Sequence, residues 1–137
     1  MKKFFFVFFA LLAFFSLTIN AQSFIGHTKA EVIKEIKSFS LSYTEEFSDK
    51  LGNFIEITES GMVQWVIFHK KQDVCVSEIY LPESTTAFQL FKESLDKQYE
   101  AAGYNRWKVY HDNMIITIQL IIDETTMFVL KCSNCSG

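Results

Sequence analysis

The chain has 137 residues, a formal net charge of −3 and 49% hydrophobic residues, of which the aromatics alone make 16%. That length makes one domain able to bury a real core. The acidic balance and the lack of clustered Lys/Arg exclude nucleic acid and anionic lipid as natural partners.

The amino terminus reads as a secretory signal peptide over residues 1–21. Lys2 and Lys3 supply the positive start, Phe4 to Leu17 is almost wholly apolar, and Ala21 is the small residue required at the cleavage point. The apolar run is shorter than the roughly 20 residues needed to cross a bilayer as a helix, with an uncleaved anchor as the alternative. No Cys lies near the cleavage point, so no lipid-modified terminus is expected. The working molecule is then residues 22–137, a single domain exported to the periplasm or the extracellular space, with no membrane span once the signal is removed. Losing Lys2 and Lys3 makes it more acidic still.

The first element after the signal is a helix over 26–37. Thr28 and Glu31 have capping-box spacing, each side chain placed to satisfy the other's backbone N–H, and Val32, Ile33 and Ile36 make its apolar stripe. Four strands follow, at 39–47, 54–59, 62–69 and 74–81. They are separated by Lys50-Leu51-Gly52-Asn53, Ser60-Gly61 and Lys70-Lys71-Gln72-Asp73. In the third, Val63, Trp65 and Ile67 alternate with Met62, Gln64, Val66 and Phe68, which predicts a central strand covered on both sides.

Pro82 ends this meander. Ser84 or Thr85 caps a second helix expected to run to about Ala102, with Phe88, Phe91, Leu95, Tyr99 and Ala102 on one face and Gly103 as its stop. Three more strands are expected at 105–111, 114–122 and 126–132. Met114, Ile116, Ile118, Leu120 and Ile122 all point one way, toward the core. The fold class is therefore α+β: an antiparallel sheet of about seven strands in the order α-β4-α-β3, with both helices on one face. The layout suggests a degenerate repeat of helix and meander without residue identity. The other sheet face is expected to be open, a natural binding surface.

The segment Ile25-Gly26-His27-Thr28-Lys29-Ala30-Glu31-Val32-Ile33 resembles the G-x-T-x-x-E-V helix start of two related exported groups. These are the small outer-membrane assembly lipoproteins and the secreted β-lactamase-inhibitor-like proteins. The resemblance covers this segment and the element order. It implies a binding module with a helix packed on an antiparallel meander, and carries over no functional residue. More loosely, the chain resembles the uncharacterised small exported proteins of Gram-negative bacteria.

Chemistry-bearing residues are few. Cys75, Cys132 and Cys135 are disulfide candidates in an exported protein. Cys132 and Cys135 have C-x-x-C spacing, but no helix follows to lower a thiolate pKa. A single such pair lacks the four ligands of a zinc knuckle. The expected state is one structural disulfide with a leftover thiol, or three reduced thiols, and a bridge from Cys75 to the tail is one way to form it. His69 and His111 both sit at strand ends, with Asp73 and Asp112 nearby. Brought together they would suit a general base or a metal site; apart, they are solvated strand ends. Tyr110, His111 and His69 are the candidate binding surface, Tyr110 being opposite in parity to Trp107 on one strand. No phosphate-binding, dinucleotide-binding or nucleophile-elbow motif occurs. The expectation is a non-catalytic module without metal or cofactor, binding a protein, peptide or envelope component. The alternative is a small hydrolase or metal-dependent enzyme using His69 and His111.

Overall fold

The computed structural model describes residues 23–135; the expected signal peptide lies outside the described residues. The first helix, α1 (Lys29–Ser38), starts at the N-cap Thr28, whose hydroxyl oxygen accepts from the Glu31 N–H at 3.2 Å. The Glu31 carboxylate receives the Thr28 hydroxyl at 3.0 Å rather than the backbone N–H of a reciprocal capping box. Val32 and Ile36 are its buried stripe. Ser40, at φ 56°, turns the chain out of the helix. The expected first strand therefore begins later, as β1 (Ser42–Ser48).

Three strands continue the meander: β2 (Gly52–Glu59), β3 (Met62–Phe68) and β4 (Cys75–Pro82). The second helix, α2 (Thr85–Gln98), is capped by the Ser84 hydroxyl, which accepts from the Ala87 N–H at 3.0 Å. It ends earlier than its apolar periodicity predicts. Tyr99 is extended, and Glu100–Ala101 form a short strand β5 on the edge of β6 (Arg106–His111). The Ala102 N–H donates to the Arg106 carbonyl at 2.9 Å, and Gly103 and Asn105 take positive φ to turn the chain back. Pairing with an open strand edge overrides the helical preference here. Two long strands, β7 (Met114–Ile122) and β8 (Thr126–Cys132), complete the chain.

The sheet thus has eight strands rather than seven. It is antiparallel throughout, in the order β1-β2-β3-β4-β8-β7-β6-β5, and the element order is α-β4-α-β4. Two helix-plus-meander halves meet where β4 pairs with β8, so the repeat of layout is present in space. Both helices cover one face. Val32 and Ile36 of α1 and Phe91 and Leu95 of α2 share one core with Ile55, Val66, Ile116, Ile118, Phe128 and Leu130. The Phe91 ring meets Phe128 edge to face with centroids 4.6 Å apart, and lies 5.0 Å from Tyr80. The Trp107 indole N–H donates to Asp96 at 2.9 Å and ties α2 to β6. Ile116, Ile118 and Leu120 face the helices as expected. Ile122, however, is 64% exposed, because β6 begins opposite Gln119 and gives the far end of β7 no neighbour.

Candidate functional site

The face of the sheet away from the helices carries no second layer among the described residues. This corrects the expectation for β3: Val66 and Phe68 are buried under the helices, whereas Val63 and Trp65 remain partly exposed. The register draws three rows across this face. One runs Thr44, Glu56, Trp65, Ile79, Val129, Gln119, Arg106; beside it run Thr58, Val63, Leu81, Met127, Ile121. On the other side lie Glu46, Phe54, Ile67, Ser77, Lys131, Thr117, Lys108. The centre is apolar and anchored by Trp65, whose indole N–H donates to Glu56 at 2.9 Å and whose ring lies 5.5 Å from Phe54. The margins are charged, acidic at Glu46 and Glu56 on β1 and β2 and basic at Arg106 and Lys108 on β6, and Lys131 lies nearer the middle, on β8 beside Ser77.

The singled-out residues fall at separate places. Tyr110 is 64% exposed on the open face, toward its β6 edge. His111 ends the same strand and lies 3.3 Å from the Asp112 carboxylate, toward solvent. His69 closes the turn after β3, its Nδ1 accepting from the Lys71 and Gln72 N–H groups at 3.1 and 3.3 Å. Three strands separate β3 from β6, which at about 4.8 Å per strand puts the two histidines about 19 Å apart. They share no site. No group of three or more His, Cys, Asp or Glu among the described residues could hold a metal ion, and no helix of the described residues is long and apolar enough to cross a membrane. A shallow recess of about 360 Å³ between Pro82, Ser84, Phe88 and Thr126 carries a single ionisable side chain, Glu83.

The disulfide joins Cys132 to Cys135, with Cα atoms 5.5 Å apart, while Cys75 is a buried thiol. The bridge from Cys75 to the tail is not formed. Instead the four-residue loop clamps the tail onto the β6–β7 turn. The Ile115 N–H donates to the Asn134 side-chain oxygen at 2.7 Å, and the Asn134 amide donates to the Asn113 carbonyl at 2.9 Å. Both Ser133 donors, N–H and hydroxyl, reach the Ile115 carbonyl. This is a structural fastening. Desolvation, then the nearby Glu78 carboxylate, push the Cys75 thiol far above its ordinary range, which leaves it unreactive.

A buried polar cluster escaped the sequence reading. Glu78, wholly buried on β4, accepts from the Ser23 hydroxyl at 2.8 Å and the Gln64 amide at 2.8 Å; the same amide reaches the Tyr80 oxygen at 2.9 Å. Burial raises the Glu78 carboxyl to about 7, against the hydrogen bonds from Ser23, Gln64 and the Phe24 backbone that lower it. The cluster is hidden from sequence because its members come from three separate segments, Ser23, Gln64 and Glu78 with Tyr80, which only the β3–β4 pairing and the packing of the segment before α1 bring together. An open face was expected from the layout of elements, but the alternation in β3 read as covered on both sides and so did not place Trp65 on it. What was missing was the β4–β8 adjacency that joins its two halves.

No family model matches the chain, and no curated protein and no solved structure matches it either.

Proposed function

We propose that the chain is an exported, non-catalytic binding module that engages a protein, peptide or envelope component through the open face of its sheet. The observation that carries this reading is the partly exposed apolar centre of that face, built on Trp65 and Phe54 and rimmed by charge. An apolar patch with a polar rim is the anatomy of a contact surface, and a large rigid aromatic at its centre is the usual anchor. Export rests on Lys2 and Lys3, the apolar run after them and Ala21. The separation of His69 from His111 favours binding over the hydrolase alternative.

Two measurements test the proposal. Amino-terminal mass analysis of exported material is expected to find Gln22 first, and a mature form retaining Lys2 and Lys3 would refute export. A photo-crosslinking residue at position 65 is expected to capture a macromolecule in the envelope, whereas one at Glu93, on the exposed side of α2, is not. Equal labelling from both positions, or none from either, would sink the face as the binding surface.

A further inference from the structure

We infer that residues 23–25 form a pH-sensitive latch: the segment pivots at Gly26, closes over the buried carboxyl of Glu78 while that group is protonated, and is released more often once it is ionised. The latch lies on the helix-covered side of the sheet and is independent of the reading of the open face.

The geometry carries the argument. Just before α1 the chain is stitched to the start of β4. The Gly26 N–H donates to the Cys75 carbonyl at 2.9 Å, and the Cys75 N–H donates to the His27 carbonyl at 2.8 Å. Gly26 has φ 92°, which glycine adopts without strain, so the chain turns there. Ahead of that turn, the described residues hold on by the burial of Phe24 and Ile25 and by one polar anchor. The Ser23 hydroxyl and the Phe24 N–H both donate to Glu78, and Gln64 of β3 supplies a third donor. Lifting the segment takes away two of these three donors and lets water reach the carboxyl while the sheet stays paired.

The enclosure sets two demands against each other. Three donors suit a carboxylate; dry surroundings suit an acid. The ionisable groups facing Glu78 among the described residues are the Cys75 thiol and the Tyr80 phenol of its own strand, with Tyr99 at the end of α2 beyond Tyr80. Burial pushes all three up, so they stay uncharged through neutral pH. Val66 and Leu130 pair with Glu78 from β3 and β8, and α1 and α2 turn Val32 and Phe91 to the same core. The ionised carboxyl is thus a buried charge without a counter-ion, which hydration relieves. The acid form needs no such relief. The Ser23 oxygen accepts the Ile25 N–H at 3.2 Å and has a second lone pair for the acid's O–H.

The sign follows from linkage. With the latch closed the carboxyl keeps its proton up to about 7; hydrated, it releases it near 4.5. The closed chain binds more protons between those values, so rising pH favours opening, by a factor on the order of 100 for full hydration. The burial of Phe24 and Ile25 keeps the open form a minority, so the switch is read as a change in that minority.

The experiment is native-state hydrogen exchange of the purified chain at pH 5 and pH 8, with each amide corrected for its intrinsic pH dependence. Phe24 and Ile25 report the latch; Ile116 and Ile118, paired on both sides in β7, report global unfolding. The latch amides are expected to open more readily than those of β7 at both pH values, and at least about tenfold more at pH 8 than at pH 5. Glu78→Gln is expected to abolish that rise. Ser23→Ala is expected to increase opening at both pH values and to keep the rise. Three results would overturn the inference: latch and β7 amides with the same opening constant, latch opening that does not change with pH, or a rise that persists in Glu78→Gln.

Discussion

Glu78 is a buried carboxyl whose proton is held into the neutral pH range. It is fully buried, and its partners among the described residues are the Ser23 hydroxyl, the Gln64 amide and the Phe24 N–H, none of them a cation. The folded carboxyl keeps its proton up to about 7, while the unfolded one releases it near 4.5. Between those values the folded chain binds more protons, so stability falls as pH rises through the window and levels off above it. The drop is on the order of 3 kcal/mol. Urea midpoints at pH 4.5 and 7.5 are expected to show it, and Glu78→Gln to flatten it. An unchanged slope in the variant would place the titrating group elsewhere. None of this was legible in Val74 to Leu81 read as a strand, because alternation does not say which of its two sides the helices cover, and the Ser23 and Gln64 partners lie on other segments. The bulge between Ile67 and Phe68 misleads only for Cys75, which strict alternation groups with Ile79 and the structure places on the side of Glu78 and Tyr80.

At the scale of elements, α2 shows both what periodicity reveals and where it stops. Phe91 and Leu95 recur at helical spacing and are buried. The same stripe continued to Tyr99 and Ala102 in sequence, yet the helix gives way to β5, because an unpaired β6 edge lies within reach and sequence carries no trace of it. Phe91→Ala is expected to cost about 3–5 kcal/mol, since Phe128 and Tyr80 lose their ring partner at the centre of the core. A loss below about 1 kcal/mol in denaturant unfolding would contradict the packing. The carboxy-terminal loop is the contrasting case. The C-x-x-C spacing was plain, but its pairing was left open and its purpose depends on Asn134 reaching back to Asn113 and Ile115. A loop of four residues restricts the unfolded chain little. Reduction is therefore expected to cost no more than about 2 kcal/mol by the chain-entropy model, without any effect on Cys75. Calorimetry with and without reductant measures this, and unfolding on reduction would show that the tail is a larger part of the fold.

For the whole molecule, element types and their order followed from the alternation in β3 and β7 and from the caps at Thr28 and Ser84. The arrangement of the halves did not follow from sequence, because the contacts that join them span about two-fifths of the chain: the Ser77 hydroxyl, for example, reaches the Leu130 carbonyl across 53 positions. That seam governs how the chain reaches its native state. Within each half, successive strands close short loops and can pair early, whereas the four register pairs from Ser77–Lys131 to Tyr80–Phe128 must wait for distant segments to meet. Val129→Ala and Ile79→Val at the seam are therefore expected to accelerate unfolding while leaving the refolding rate nearly unchanged, with φ-values near zero. Ile57→Val within the first meander is expected to slow refolding. Stopped-flow chevrons separate the two classes, and high φ-values at Ile79 and Val129 would reverse the order. With the seam formed last, the search for the native state is two half-length searches run side by side, and the rate-limiting barrier belongs to the slower meander rather than to the full-width sheet.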